Sequence, residues 1–450
     1  MTTPRPTTAP GNTMPVGTKR PLRRRQRGVA LIAVTVSLAI LGVIVVEFTT
    51  NTNVDMYAAH NAELDMKAHF LAMSGMNLAE LVIHVQRRID NGLNKKGGYD
   101  IQLADYVGLF MGAFGGGKEE VNALAELVGG MAADDIKGLG VPEGRFDLQM
   151  TTEDKKINLN CANGSDDEKK YLYVQLFNLL YPEAYNPIFE NEDGEGWRRD
   201  RETQVKALID YIDKDRNVFE FEEGLSSRIR EDYGYEALDD KYKPKDNYLD
   251  TVGEIKLARG VDDRFWTLFG GTLTVYGDCK INLAALDDIK LIASLIAYAA
   301  KNQNDPVVGN QAKLWALAKA VKEAKELGFA FTTEKAFADL VKDPMGGMGG
   351  FLDGLSERGI STPDGSQHTG PPIEGVELDQ AKLKQVAKSG ARITYRVEST
   401  AIIDLPAFET SLEKRIVGVW DTRRPKQNSR AHGTQQKDSS KGFWVYWRED

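Results

Sequence analysis

The sequence predicts an α+β protein in which a long amino-terminal helix packs on an antiparallel sheet, with a large all-α domain inserted between the strands. Three observations predict this class. An apolar and then amphipathic run follows the amino terminus, alternating strand patterns recur near residue 150 and in the last 60 residues, and helical patterns fill most of the interval. The 450 residues, 42% apolar and 27% charged, suffice for two or three folded regions.

The amino-terminal run is predicted to cross a membrane once. Val29 to Val46 are eighteen uncharged residues, and a helix of that length spans about 27 Å, close to the roughly 30 Å apolar thickness of a bilayer. Residues 1–28 hold seven basic side chains and no acidic one. Residues 1–22, rich in Thr and Pro, should be a disordered leader. The basic end should stay in the cytoplasm, while the bulk of the chain crosses the membrane.

The helical pattern continues beyond the apolar run. Apolar side chains recur at three- and four-residue steps from Phe48 to Ile89, and Asn91-Gly92 then marks a stop. One helix from Val29 to Asp90 is therefore expected, about 93 Å long if unbroken. A secretory signal peptide would instead end in a small-x-small cleavage site and lose its helical pattern, and this chain does neither.

Basic residues, then Gly28, then an apolar helix that starts at Val29 resemble the class III signal of type IV pilins and type II secretion pseudopilins. In that family a prepilin peptidase cuts after the glycine and the new amino terminus is methylated, so the resemblance implies a mature protein that begins at Val29. The fifth mature residue is nearly always Glu in the family, but it is Ala33 here. The minor pseudopilin K of type II secretion also lacks that Glu and is larger than its relatives. This chain is similar to it most strongly in residues 23–90, 145–165 and 205–285.

A glycine-rich stretch after the helix has the spacing of a phosphate-binding loop, but two features argue against nucleotide binding. In residues 112–119, Glu119 stands where such a loop carries a magnesium-binding Ser or Thr, and no apolar strand precedes the stretch. A surface loop is the expected structure.

Two related junctions of a strand with a helix are expected next. Arg145 to Thr151 and Thr272 to Tyr276 both alternate like strands, and each leads to a Lys-Ile-Asn-Leu tetrapeptide. Asn160 and Asp287 are the expected helix N-caps. The repeated Ile-Asn-Leu segments are also a feature of the K family. Their rival interpretation, a helix-hairpin-helix DNA module, conflicts with the charge of the chain.

That charge is strongly negative. The formal value is −9, and removing the seven amino-terminal basic residues takes it to −16. An acidic body repels phosphate backbones, so no nucleic acid partner is expected. The two cysteines, Cys161 and Cys279, suit one structural disulfide in an oxidising periplasm, and two unpaired buried thiols are the alternative.

The densest acidic segment runs from Asp210 to Gly224. Asp213, Asp215 and Asn217 have the 1-3-5 spacing with which a tight loop directs oxygen ligands at one calcium ion. The segment is not an EF-hand, because Val218 and Gly224 replace the required Gly and bidentate Glu. A solvated acidic loop remains the alternative. The K family has a calcium site in the matching segment, so the resemblance implies calcium binding, with candidate ligands Asp210, Asp213, Asp215, Glu220, Glu222 and Glu223.

The remaining patterns complete the predicted domains. Helices are expected at 168–180, 202–212, 252–259, 289–300, 311–327 and 333–341, a loop at 345–372, and strands at 392–402, 412–420 and 443–447. Strands 145–152 and 272–277 are expected to join the carboxy-terminal strands in one sheet. The predicted domains are a cleaved leader (1–28), the helix (29–90), the first part of the sheet (91–160), an inserted helical domain (161–270) and the rest of the sheet with a helical insertion (271–450). The K resemblance implies the same pilin-like fold.

Catalytic motifs are absent from the sequence. The five histidines form no H-x-x-x-H pair, and neither G-x-S-x-G nor C-x-x-C occurs. A non-enzyme is expected, with a membrane-anchored periplasmic enzyme as the less favoured alternative.

The resemblance implies a structural role. It points to a minor pseudopilin at the tip of the periplasmic pseudopilus of a type II secretion system, held in the bacterial inner membrane by one span. The implied partners are the minor pseudopilins I and J and the prepilin peptidase. A minor pilin of a type IV pilus is the alternative, and the sequence does not separate the two machines.

Overall fold

The structure is a computed structural model that describes residues 27–90, 102–107, 144–189, 200–221, 235–237, 241–327, 329, 331–347, 373–405, 410–423 and 442–450. The chain divides into two compact units, Met1–Met66 and Lys67–Asp450. The glycine-rich stretch 112–119 and most of the loop predicted for 345–372 lie outside the described residues.

The described chain begins with one long helix. Helix α1 runs from Arg27 to Ile89 and has 63 residues, which confirms the predicted helix to within two residues at each end. It contains an eighteen-residue window with a mean hydropathy of 3.0, none of which is buried. The hydroxyls of Thr35, Thr49 and Thr50 donate to carbonyl oxygens four residues earlier, at 2.7–3.1 Å. These three threonine hydroxyls in and beside the apolar segment are thus satisfied within the helix itself.

In the second unit, α1 buries one face. The buried side chains recur at three- and four-residue steps and are at most 1% exposed: Ala68, Ala72, Met76, Ala79 and Ile83. The helix approaches its neighbours closely, because a Cβ added at Gly75 would lie 2.1 Å from Ser399 Oγ. Small residues on this face therefore allow α1 to lie directly on the strands.

In the described part of the chain there are eight strands: β1 (Gly144–Thr152), β2 (Ile157–Asn158), β3 (Leu273–Thr274), β4 (Ile281–Asn282), β5 (Ala387–Lys388), β6 (Thr394–Leu405), β7 (Thr410–Asp421) and β8 (Phe443–Glu449). Four of them form one antiparallel sheet in the order β1-β6-β7-β8. Along β6 buried residues such as Val397 and Ala401 alternate with half-buried ones, as expected for a sheet with one covered face. The predicted α+β class is confirmed.

The prediction that strand 272–277 joins this sheet was wrong. Only Leu273 and Thr274 are extended, and β3 pairs in parallel with β2. The alternating threonines suggested a strand with one solvent-facing side, but their polar groups are satisfied locally. The Thr272 hydroxyl, for example, donates to Phe269 O at 2.7 Å. Both residues of β3 are buried, so the alternation does not mark a solvent-facing side.

Two helical regions lie between β1 and β6, and each is closed by a short parallel strand pair. The first, between β2 and β3, contains α2 (Asp166–Leu180), α3 (Asn186–Phe189), α4 (Arg201–Asp210) and α5 (Asp263–Phe269). The second, between β4 and β5, contains α6 (Ile289–Ala299), α7 (Gln311–Glu326), α8 (Glu334–Lys342) and α9 (Gln380–Val386). One hydrophobic core runs through both regions. The helix predicted for 252–259 is a 3-10 helix, Val252–Leu257.

Each of the two strand pairs contains an asparagine, and the two asparagines have the same role. Asn158 Nδ2 donates to Gly277 O at 3.2 Å, and Asn282 Nδ2 donates to Gly390 O at 3.0 Å. Each side-chain oxygen accepts from the backbone N–H two residues later. These asparagines tie the entry of each helical region to a later segment of the chain.

The two predicted N-caps were wrong. Asn158, not Asn160, caps the 3-10 helix Leu159–Asn163, and Asp288, not Asp287, caps α6. Asp287 has another partner, since its Oδ2 lies 2.6 Å from Lys155 Nζ. Sequence identifies the polar residues near a helix start but does not show which of them faces the free N–H groups.

Candidate functional site

The predicted processing site lies at the start of the described chain. Gly28 and Val29 are in the first turn of α1, and the basic leader before Arg27 lies outside the described residues. Ala33 is exposed in the apolar segment, and its methyl group offers no acceptor for a charged amine. Cleavage after Gly28 stays a prediction.

The acidic segment leaves the carboxyl end of α4 as a loop. Backbone bonds from Tyr211 N to Ala207 O and from Asp213 N to Ile209 O close the helix end, at 3.1 and 2.9 Å. Asp210 Oδ1 then accepts from Phe219 N at 2.8 Å, which fixes the far side of the loop. Glu222 and Glu223, two of the candidate ligands, lie outside the described residues.

Asp213 and Asp215 are brought together by one lysine of α2. Lys169 Nζ lies 2.8 Å from Asp213 Oδ2 and 3.1 Å from Asp215 Oδ2. The Asp213 side chain is only 1% exposed and that of Lys169 is 16% exposed. Burial raises the pKa of Asp213 to about 6, and the nearby carboxylates of Asp215 and Asp246 add to the rise, although Lys169 opposes it.

Asp246 is the residue that sequence reasoning missed. Its backbone has a φ of 46°, which a tight turn imposes, and its N–H donates to Tyr211 O at 3.3 Å. This turn carries the carboxylate to the acidic loop, where Arg216 Nε lies 3.7 Å from Asp246 Oδ2. The sequence Pro244-Lys-Asp-Asn predicts a turn, but nothing in it shows which loop the turn will meet.

The other candidates have different partners. Asp210 is used in closing the loop, and Glu220 Oε2 lies 3.2 Å from Lys206 Nζ, which also pairs with Glu202 at 3.0 Å. Within the described residues, no three Asp, Glu, His or Cys side chains are grouped so as to hold a metal ion. The structure therefore joins Asp213 to Asp215 but does not assemble the whole predicted set.

The residue types of the cluster suit calcium, although their described positions do not group three ligands. Carboxylate oxygens are the ligands that calcium prefers. Asp213 Oδ1 and Asp246 Oδ1 are buried and have no hydrogen-bond partner among the described residues, which is costly for carboxylate oxygens. In the described arrangement Lys169 Nζ pairs with both Asp213 and Asp215, so the position a cation would take between them is held by the ammonium. Calcium binding stays a prediction.

The disulfide links two segments beside the strand pair β2–β3 that closes the first helical region. Cys161 and Cys279 are bonded, with their Cα atoms 5.6 Å apart, and 118 residues separate them in sequence. The bond joins the 3-10 helix after β2 to the segment between β3 and β4.

Comparisons with known proteins give a structural similarity. No family model and no curated protein matches the chain. Among solved structures, the chain is similar to one in the crystal structure of the GspK-GspI-GspJ complex from the enterotoxigenic Escherichia coli Type 2 Secretion System. The match covers 69% of this chain and 81% of that chain, with a TM-score of 0.39 and 13% identity.

Proposed function

We propose that this protein is a minor pseudopilin of a type II secretion system, a non-catalytic subunit at the tip of the periplasmic pseudopilus that helps to initiate its assembly for the export of folded proteins. One observation carries the proposal. A basic leader and Gly28 precede a single helix that is apolar and exposed at first and later lies on an antiparallel sheet. Such a helix serves both as a membrane anchor and as the part that assembles with other subunits.

The exposure of α1 supports this dual role. Large apolar side chains from Val29 to Val46 are more than half exposed, and Phe48, Val54 and Tyr57 continue the exposed series at 71%, 60% and 58%. Apolar surface of this extent is unfavourable in water but favourable in lipid or among parallel apolar helices. We expect the first part of α1 to lie in the inner membrane and the second unit in the periplasm.

Ala33 supports a position at the tip. After cleavage, the Val29 ammonium would be stranded among apolar helices at a cost of several kcal/mol unless it is paired. In the pseudopilins that this chain resembles, the Glu at the fifth mature position of one subunit meets the amine of an adjoining subunit. Ala33 cannot do so. A subunit without this Glu is tolerated where none lies above it, and the two helical regions would block a filament lattice from continuing.

The proposed partners are the minor pseudopilins I and J and the prepilin peptidase. We expect the purified protein to bind I and J in equal amounts, because a cap needs one copy of each. A minor pilin of a type IV pilus would share all of these features, and the genes beside this one distinguish the two machines.

Processing is tested by mass spectrometry of the native amino terminus. The expected mass begins at methylated Val29, and a bulky Gly28→Leu substitution should block cleavage because the peptidase must pass a small residue through its site. Gly42→Leu is the matched control, since no atom lies within 4 Å of a Cβ added there. Retention of Met1 in cells with an active secretion machine would refute the proposal.

Calcium binding is the second part of the proposal. Asp213 and Asp215 are proposed as ligands with Asp246, and Asp210, Glu220, Glu222 and Glu223 remain further candidates. Calcium at 100 times its dissociation constant should stabilise the folded state by about 2.7 kcal/mol and raise the melting temperature. Equal melting temperatures in excess EDTA and in millimolar calcium would remove this part without affecting the pseudopilin assignment.

A further inference from the structure

A cavity of about 510 Å³ lies between the main sheet and the second helical region. Its walls come from the end of β1, the 3-10 helix Leu103–Tyr106, the last turns of α7 and the entry to β6. All of these elements belong to the second unit. The volume falls within the range of about 300–1,000 Å³ that is typical of small-molecule sites, so the cavity is large enough for an organic ligand.

Three cationic side chains that line this cavity converge on one short segment, residues 284–287, which follows β4. Arg392 Nη2 and Lys325 Nζ donate to carbonyl oxygens of this segment at 3.2 and 3.0 Å. Lys155 Nζ lies 2.6 Å from Asp287 Oδ2. The three cations come from the entry to β6, from α7 and from the turn after β1, so the packing of distant parts of the chain gathers their charges at one place.

A fourth cation adds to this group. Lys322 precedes Lys325 by three residues and shares its face of α7, and its Nζ lies 3.6 Å from Glu326 Oε1. Among the described residues that line the cavity, four side chains are thus cationic and two, Asp287 and Glu326, are acidic. The lining has an excess of two positive charges, although the chain without its leader has a net charge of −16.

This local excess decides which ligands the cavity favours. Salt at physiological concentration screens exposed charges beyond about 8 Å, so the cations in the wall act on a bound molecule more strongly than the distant acidic surface does. Thr152, Arg392 and Tyr395 are buried in the wall, and Lys155 and Lys322 are half-buried. A lysine ammonium has three donors, so Lys155 can keep its contact with Asp287 and still donate to an anion.

We propose that this cavity binds a small organic polyanion, a molecule with two or more carboxylate or phosphate groups, through Lys155, Lys322, Lys325 and Arg392. Ammonium and guanidinium groups form strong charge-assisted hydrogen bonds with both kinds of group. A ligand with two negative charges matches the excess of the lining, whereas a monoanion leaves half of it. The bound molecule would contact the sheet and the second helical region together and would stabilise their junction. Such a site is independent of the pseudopilin role proposed above.

The test is isothermal calorimetry of the full-length protein in detergent with citrate and with pyrophosphate, and with acetate as the monoanion. Citrate or pyrophosphate should bind and acetate should not. Lys155→Met and Lys322→Met should each weaken binding about tenfold, because each removes one charged donor. Lys388→Met is the matched control, since Lys388 also forms a half-buried ion pair at 2.6 Å, with Asp278, and does not line the cavity.

Asp287→Asn gives the opposite expectation. The substitution removes a negative charge from the cavity, so the polyanion should bind severalfold more tightly. Helix α6 keeps its N-cap, because that residue is Asp288. A variant that merely loosened the cavity would bind more weakly, so tighter binding distinguishes an electrostatic site from a structural effect.

The outcomes are decisive for the site. Binding of citrate alone or of pyrophosphate alone would support it and identify the acidic group that it prefers. Absence of binding at millimolar concentrations of both would overturn the proposal. Equal affinities in the wild type and in both lysine variants, or an equal loss in Lys388→Met, would also overturn it, because the anion would then bind elsewhere or without specificity.

A second measurement needs no substitution. Amine labelling of the wild-type protein, read by mass spectrometry of its peptides, should fall severalfold at Lys155 and Lys322 when the polyanion is added and stay constant at Lys388. Unchanged labelling of Lys155 and Lys322 in protein that binds the polyanion would overturn the assignment to this cavity, even if the Met variants fail to fold.

Discussion

Removing the disulfide between Cys161 and Cys279 is expected to be strongly destabilising. The bond closes a loop between residues 118 apart, and the chain entropy that it removes from the unfolded state is worth about 4–5 kcal/mol for a loop of this length. Cys161 is 3% exposed within the core of the first helical region. Alanine is therefore the suitable replacement, since a serine would bury an extra hydroxyl.

The assay is urea unfolding followed by tryptophan fluorescence, with and without reductant. The Cys161→Ala/Cys279→Ala variant should unfold at a lower urea concentration than the wild type, and reductant should bring the wild type to the same midpoint. The variant itself should not respond to reductant, which makes it the control. An unchanged wild-type midpoint under reduction would refute the reasoning, and free thiols in protein taken from cells would contradict an oxidising compartment.

Three further predictions concern the body. Gly75→Ala should lower the melting temperature because the added Cβ would lie 2.1 Å from Ser399 Oγ, even though alanine favours a helix over glycine by about 1 kcal/mol. Adding Ser399→Ala should recover part of the loss. A higher melting temperature in Gly75→Ala alone would disprove the close packing. Burial raises the pKa of Asp154 above its ordinary 3.8, so this carboxyl keeps its proton to higher pH in the folded state than in the unfolded state. The wild type should therefore lose stability relative to Asp154→Asn as the pH rises from 3.8 through the raised pKa. Parallel pH profiles of the urea midpoint for the two proteins would contradict this. Asn158→Ala and Asn282→Ala should each cost about 1–3 kcal/mol in urea unfolding by removing the partly buried hydrogen bonds to Gly277 O and Gly390 O. A large cost in only one would refute their equivalent roles.

Periodicity was sufficient to predict the elements whose burial is one-sided. The part of α1 in the second unit and strand β6 each bury residues on one face at the period of their backbone, so the pattern alone identifies them. The 1-3-5 spacing also selected Asp213 and Asp215, which the structure brings to one lysine. Local spacing can predict such a pair because a loop of a few residues has few conformations.

Contacts between distant parts of the chain were beyond the sequence pattern. Asp246 reaches the acidic loop through a turn, and Lys169 reaches it from a different helix. Strand β3 pairs with β2 rather than with the main sheet, and both of its residues are buried. These partnerships depend on how the two helical regions pack, which a single sequence does not encode in any local spacing.

The proposed tip position is tested most directly by locating the protein on assembled pseudopili. Antibody against the periplasmic body, visualised by immunogold electron microscopy, should place label at one end of each filament, at about one copy per filament, with the shaft unlabelled. A major pseudopilin labelled in the same preparation provides the control for access along the shaft. Label from this protein at many positions along the shaft would contradict the assignment.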